Sequence, residues 1–313
     1  MFERILIPLD GSELAEMVLP YGKELASRLG SEIILYHAYR HEHREQKHMH
    51  QAYLDRVAET VKRNMRKGKA GDTEIKVTMK VQAAEPAENI CKLVDKNKVD
   101  LIVMTAVSAS GLKIGKMLGS VADHICRTVP SPVLLIRPKS FHRTEGRKSL
   151  ISKIMVPLDG SNLSKLALPI AEELAAKLKA PITLFQMASL FYPYTGHDYV
   201  NGIEYTRINE HQEQMIEYNY AQSNEGEERR VLDEVIALEN ELREKGLTAE
   251  HNVISGIDAA HEINIAAKGM GADLIVMSTH GRSGLDRWVL GSVTEKVLRY
   301  GETPLLLVNA RAG

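Results

Sequence analysis

The 313-residue chain has two cysteines, Cys91 and Cys126, and one tryptophan, Trp288. Two isolated thiols on predicted helices read as buried fillers rather than a disulfide or a catalytic pair. No apolar run of about 18 residues or more occurs, so no helical membrane span is expected. Neither sign of charge dominates: 40 Lys and Arg stand against 41 Asp and Glu, for a net charge of −1. That balance gives no reason to expect a nucleic-acid surface. The chain enters a strand pattern at Ile5, which leaves no room for a signal peptide, and the expected compartment is the cytoplasm. Walker A, HIGH-type nucleotidyltransferase and SGGxDS-type pyrophosphatase motifs are all missing.

What is present is one pattern written twice. Residues 4–22, RILIPLDGSELAEMVLPYG, and residues 153–171, KIMVPLDGSNLSKLALPIA, agree at about half their positions. Asp100-Leu101-Ile102-Val103-Met104 recurs as Asp273-Leu274-Ile275-Val276-Met277, and Leu118-Gly119-Ser120-Val121 as Leu290-Gly291-Ser292-Val293. Pro132-Val133-Leu134-Leu135-Ile136 answers Pro304-Leu305-Leu306-Leu307-Val308. The period is too long for a solenoid, so these are two homologous domains. We place them at 1–140 and 151–313, with a polar linker at 141–150.

Each half alternates strand and helix. Strands are expected near 4–9, 32–38, 74–81, 100–105 and 132–136, with helices near 13–29, 47–68, 86–97 and 119–128. In the second half strands fall near 153–158, 181–187, 248–254, 273–277 and 304–308, with helices near 162–178, 227–245, 259–269 and 292–300. This alternation predicts α/β domains, each a doubly wound five-stranded parallel sheet with helices on both faces. The last strand of each half is short, apolar and preceded by Pro. If it lies at a sheet edge it must be covered, and two like domains can cover each other across a pseudo-two-fold axis.

The stretch at 273–299 carries the functional signal. A buried apolar strand is joined to a helix by a connection holding Gly281, Gly284 and Gly291, longer than the usual 2 to 6 or so residues of such turns. Glycines let backbone approach a ligand, and a helix start offers unpaired N–H groups to an anion. In doubly wound sheets the ligand crevice lies beyond the strand ends where strand order reverses. Asp159 ends the first strand of the second half there. It can accept hydrogen bonds from a ribose or an adenine, or act with Ser161 as ordinary helix capping. Asp10 is its counterpart in the first half.

With these residues the chain resembles the universal stress protein family. The carrying features are PLDGS after the first strand and the loop ending LGSV. The family's nucleotide signature is Gly, two residues, Gly, nine residues, Gly, then Ser or Thr. Gly281, nine residues, then Gly291-Ser292 match it, with Ser278 at the position of the first Gly. The resemblance implies Rossmann-like five-stranded sheets, dimerisation through the last strand, and ATP or AMP, with or without Mg2+, at the switch point. Carried over by position, Asp159 would contact adenine or ribose, and Met187 and Ala188 would line the base. Gly281, Arg282, Gly291, Ser292 and Val293 would hold ribose and phosphates. Serine at 278 weakens the site if that backbone needs a positive φ. In the first half Thr105 and Ser108 replace signature glycines and the loop is one residue longer, leaving Asp10, Gly119 and Ser120 as a weaker set.

The expected function is an adenine-nucleotide-binding stress regulator or sensor, with the nucleotide mainly in the second domain. The rivals are a scaffold without nucleotide and a slow ATP hydrolase. No catalytic or metal residue is assigned. His41, His43, His48 and His50 form an HxH pair of pairs, read as a solvated helix start rather than a metal site. His280 beside the loop reads as an ordinary loop residue. The segment 191–226 holds six of the 11 tyrosines and reads first as an arm onto a partner, then as a lid or a loop. The partners expected are adenine nucleotide and the chain's own other half, a homodimer being left open, with no nucleic acid or membrane.

Overall fold

The computed structural model describes residues 2–40, 45–65, 75–107, 118–138, 149–189, 210–279 and 290–309. In the first half β1 (Arg4–Leu9), β2 (Glu32–Tyr39), β3 (Val77–Ala83), β4 (Leu101–Thr105) and β5 (Val133–Ile136) alternate, among the described residues, with five helices. These are α1 (Glu13–Glu16), α2 (Leu19–Leu29), α3 (Lys47–Met65), α4 (Pro86–Asn97) and α5 (Ser120–Thr128). The second half has β6 (Ile154–Leu158), β7 (Ile182–Ser189), β8 (Ala249–Gly256), β9 (Leu274–Ser278) and β10 (Leu305–Val308). Its helices are α6 (Asn162–Lys165), α7 (Ala167–Leu178), α8 (Glu210–Glu244), α9 (Ala259–Gly269) and α10 (Ser292–Tyr300).

All ten strands form one sheet in the order β3-β2-β1-β4-β5-β10-β9-β6-β7-β8. Each half has the order 3-2-1-4-5, and among the described residues the only antiparallel pairing joins the halves, β5 against β10 with Leu134 opposite Leu306. The two terminal strands thus satisfy each other's backbone groups, as the edge argument requires. Two apolar cores follow, one on each face, and both run through both halves. One gathers Leu25 of α2, Leu54 of α3, Leu174 of α7 and Val231 of α8. The other gathers Ile90 of α4, Ile125 of α5, Ile263 of α9 and Val297 of α10.

Reciprocal polar contacts lock this junction. Arg137, one residue past β5, donates Nη1–H to the carbonyl of Gly301. Asn309, one residue past β10, donates Nδ2–H to the carbonyl of Val129 at 2.9 Å. The repeated Asp before strand four has a like purpose in both halves. Asp100 Oδ2 accepts the N–H groups of Glu3 and Arg4 at 2.9 Å each, and Asp273 Oδ2 accepts that of Ser152 at 3.0 Å. Each carboxylate pins the start of the neighbouring first strand.

Three helix expectations are corrected. The helices expected at 13–29 and 162–178 are each split, into α1 and α2 and into α6 and α7. Pro20 and Pro169 have no N–H to give the carbonyls of Glu16 and Lys165, so the first turn cannot continue. The helix expected at 227–245 starts instead at Glu210, so residues 210–226 of the Tyr-rich segment are helical and the rest of that segment lies outside the described residues. This stretch contains no proline, and its single Gly226 costs only about 1 kcal/mol in a helix. Among the described residues no helix is long and apolar enough to cross a membrane.

The two cysteines remain free thiols, on α4 and α5. Burial among apolar neighbours, with Asp123 adding to it, pushes the Cys126 thiol up to about 12. A folded-state value above the unfolded one means the stabilisation is complete below about pH 9 and is lost as pH rises towards 12. Once the unfolded chain has ionised, the loss runs at about 1.4 kcal/mol per pH unit. Cys126→Ala is therefore expected to narrow its stability deficit against wild type between pH 8 and pH 10.5, measured by urea unfolding in reductant.

Candidate functional site

The tip of β6 is built by a tight turn. Gly160 adopts φ 80° and Gly11, at the tip of β1, φ 89°, a left-handed backbone that favours glycine. Asp159 Oδ1 accepts from the Ser161 N–H at 2.9 Å and from its hydroxyl at 2.6 Å. Ser161 in turn caps α6, its Oγ accepting the Ser164 N–H at 3.1 Å. Asp10 and Ser12 repeat the arrangement at 2.9, 2.6 and 3.1 Å. So Ser12 and Ser161 are the capping residues, and the aspartates orient them through one carboxylate oxygen.

Next to β6 lies β9, with Ile154 opposite Leu274 and Met155 opposite Ile275. The connection leaving β9 is drawn closed by the Gly291 N–H, which donates to the Thr279 carbonyl at 2.8 Å. This fixes the start of α10 one residue beyond the strand end. Gly291 forms the N-cap without a side-chain capping bond. Ser292 and Val293, both exposed, open the helix there. Ser278, the last residue of β9, is buried, and its carbonyl accepts the Thr294 hydroxyl at 3.2 Å. Among the described residues only Lys98 and Lys179 are non-glycines with positive φ. Serine at 278 thus carries no left-handed strain, nor does Thr105 in the first half. Ala188 is buried in β7, and the partly buried Met187 packs against Gly256, where an added Cβ would stand 3.1 Å from its sulfur. Gly281, Arg282, Gly284, His280 and Trp288 lie outside the described residues.

In the first half the weaker set converges on a real concavity. Asp10, Thr105, Gly119 and Ser120 line a cavity of about 130 Å3 between the tips of β1 and β4. Here too the loop is drawn closed, the Gly119 N–H donating to the Ala106 carbonyl at 2.8 Å, and α5 starts without a side-chain cap. Tyr36 of β2 also lines it. Its hydroxyl is buried with no hydrogen-bond partner among the described residues, an arrangement that costs about 1–3 kcal/mol.

The sequence profile of the universal stress protein family matches residues 1–137 and 151–309. The chain belongs to the universal stress protein family. Universal stress protein YxiE of Bacillus subtilis (strain 168) is 32% identical over 159 residues, covering 51% of this chain and 99% of that protein. A universal stress protein of Mycobacterium tuberculosis (strain ATCC 25618 / H37Rv) is 22% identical over 224 residues, 71% of this chain and 66% of its own length. Among solved structures, a universal stress protein from Archaeoglobus fulgidus DSM 4304 superposes with a TM-score of 0.60 at 19% identity, covering 98% of this chain and 96% of that one. That likeness shows the fold. The tandem arrangement is therefore two universal stress protein units in one chain, joined by their last strands.

Two groups escaped the sequence reading of this universal stress protein. His37 of β2 is buried beneath the Asp10-Gly11 turn. Its Nδ1–H donates to the Leu9 carbonyl at 2.8 Å, and its Nε2 lies 2.9 Å from Nδ1 of His50 on α3. His50 also stacks on Tyr39, with ring centroids 4.5 Å apart. The histidine-rich segment is thus not wholly a solvated helix start: His48 is exposed, His50 packs against the strand tips, and His41 and His43 lie outside the described residues. The other group is Tyr36, whose counterpart by register is Phe185, since Pro8 faces Tyr36 and Pro157 faces Phe185.

Proposed function

We propose that this universal stress protein is a cytoplasmic adenine-nucleotide-binding regulator, with ATP or AMP held mainly in the second half. The observation that carries the reading is the Gly291–Thr279 hydrogen bond. It sets an uncapped helix start beside Asp159, on adjacent parallel strands at the point where strand order reverses. The amides of Ser292 and Val293, in the first turn of α10, suit phosphate oxygens. The Asp159 carboxylate suits ribose hydroxyls or adenine N–H groups, and Met187 and Ala188 on β7 suit the flank of the base. Gly281 and Arg282 complete the proposed set from the connection between β9 and α10. Mg2+ would arrive with the phosphates, since it keeps most of its waters and needs few protein ligands. Ser278 has an ordinary strand backbone, which removes one objection to the site.

Regulation requires that nucleotide bind one conformation better than another. The continuous sheet across both halves also suits a scaffold that needs no nucleotide. Two measurements separate the readings. Trp288 fluorescence is expected to change saturably with ATP, and the purified protein is expected to release adenine nucleotide on denaturation. Silence in both leaves the scaffold. A multiple-turnover assay for ADP or AMP is expected to show no sustained release; steady turnover would make the protein a hydrolase.

A further inference from the structure

We propose that His37 and His50 form a proton-sensitive latch that holds the first turn of α3 against the tip of β2 and lets it go when both rings are charged. Both ring nitrogens of His37 are committed. Nδ1–H donates to the Leu9 carbonyl at 2.8 Å, and Nε2 lies 2.9 Å from Nδ1 of His50. A carbonyl can only accept, so the Nδ1 proton of His37 is fixed and Nε2 is the nitrogen that changes. While both rings are neutral, that Nε2 accepts the Nδ1–H of His50. A first proton is accommodated, because a charged His50 still donates the same bond. A second proton would set N–H against N–H across 2.9 Å, between two like charges.

The surroundings oppose that second proton. His37 is 4% exposed beneath the Asp10-Gly11 turn, and His50 stacks on Tyr39 of β2. His50 sits in the first turn of α3, where the helix dipole disfavours a cation. Tyr53 of α3 packs on His37 with ring centroids 5.3 Å apart, and burial with Glu16 pushes its phenol up, so it stays neutral. Arg56 of α3 stands over the Tyr53 ring and pairs with Glu16 of α1 at 3.3 Å. Asp10 Oδ1 holds Ser12. Among the described residues β3 brings apolar Val77 and Val81 to this core, and Lys47 and His48 in the first turn of α3 are exposed. Asp10 and Glu16 thus favour a first proton, while Arg56 and the helix start oppose a second. The second half is built differently: Leu9 faces His37, but Leu158 faces Gln186, an amide that does not titrate. The sign follows from proton counts. Open, the two imidazoles take two protons below about pH 6.5; closed, they take one. Closure is therefore complete above that pH and weakens by about tenfold per pH unit beneath it.

The experiment is hydrogen–deuterium exchange of the full chain at about pH 7.5 and about pH 5.0, a span that charges imidazoles and leaves ordinary carboxylates ionised. The amides of Gln51 to Leu54, which bond back to the first turn of α3, report the latch. Their protection factors are expected to fall by about tenfold or more at the lower pH, while α7 of the second half keeps its own. His37→Gln copies the second half, and His50→Gln gives His37 an amide that either donates or accepts. In both variants the fall is expected to vanish. Equal protection of wild type at the two pH values would overturn the proposal, as would a fall that persists in either variant. Should one variant already be open at the higher pH, the other decides. Protection lost there in both would make the pair a plain structural contact and overturn the proposal too. None of these readouts depends on nucleotide in the second half, so the two readings fail separately.

Discussion

Truncating Leu306 to alanine is expected to lower the unfolding free energy by about 2–5 kcal/mol, the range for removing a buried leucine side chain. Leu306 is 1% exposed and sits in the middle of β10, opposite Leu134 on one side and Val276 on the other. Its side chain belongs to the core that also takes in Leu25 and Leu174, one from each half. Little can collapse into the space, because neighbours on both sides are held in strand register. The same geometry predicts how the protein unfolds. Circular dichroism and Trp288 fluorescence should follow one transition in wild type, since the sheet and both cores cross the junction. Separate transitions would mean that the β5–β10 pairing adds little. Ile265→Ala is the control: that side chain is 54% exposed on α9, and its loss should cost almost nothing.

Much of this was readable because the sequence states it twice. PLDGS, DLIVM and LGSV recur in the same order, and the structure places each pair at matching points of the two half-sheets. The short final strands, each preceded by Pro, carried the junction, because an apolar edge has to be covered. Other features depend on distances that a linear pattern does not contain. Tyr36 and Phe185 look like interchangeable aromatics until the β1–β2 and β6–β7 registers align them. His37 and His50 meet because α3 packs over β2, which no spacing rule announces. The breaks before α2 and α7 did have a visible cause in Pro20 and Pro169, outweighed by apolar periodicity that continues through them. The helix of 35 residues was harder to see, since the core contacts of its described side chains run from Val231 to Leu242 while the helix itself begins at Glu210. The turn at Asp159 shows why two readings of one residue can coexist: the carboxylate that orients Ser161 through Oδ1 also stands at the strand tip where a ligand crevice is expected.

That duality sets the second large expectation. Asp159→Ala should weaken ATP binding by about 1.5–3 kcal/mol, roughly tenfold to a hundredfold in Kd, the range for hydrogen bonds to a charged group. It should also destabilise the protein by about 0.5–2 kcal/mol, because the Ser161 cap loses the acceptor that orients it. Asp159→Asn separates the two effects. An amide oxygen can still accept from Ser161, so stability should stay near wild type, while the charge that strengthens a ribose or adenine contact is gone. If affinity falls in both variants but stability falls only in the alanine, the carboxylate touches nucleotide. If stability falls in the alanine and Kd stays fixed in both, Asp159 is a turn residue and the phosphate-side amides must act without it. Asp10→Ala should repeat the stability loss and leave ATP affinity unchanged, since its turn is built alike but its loop has Thr105 and Ser108 where the signature wants glycine. Equal loss of affinity in the Asp10 and Asp159 variants would instead mean that both halves hold nucleotide.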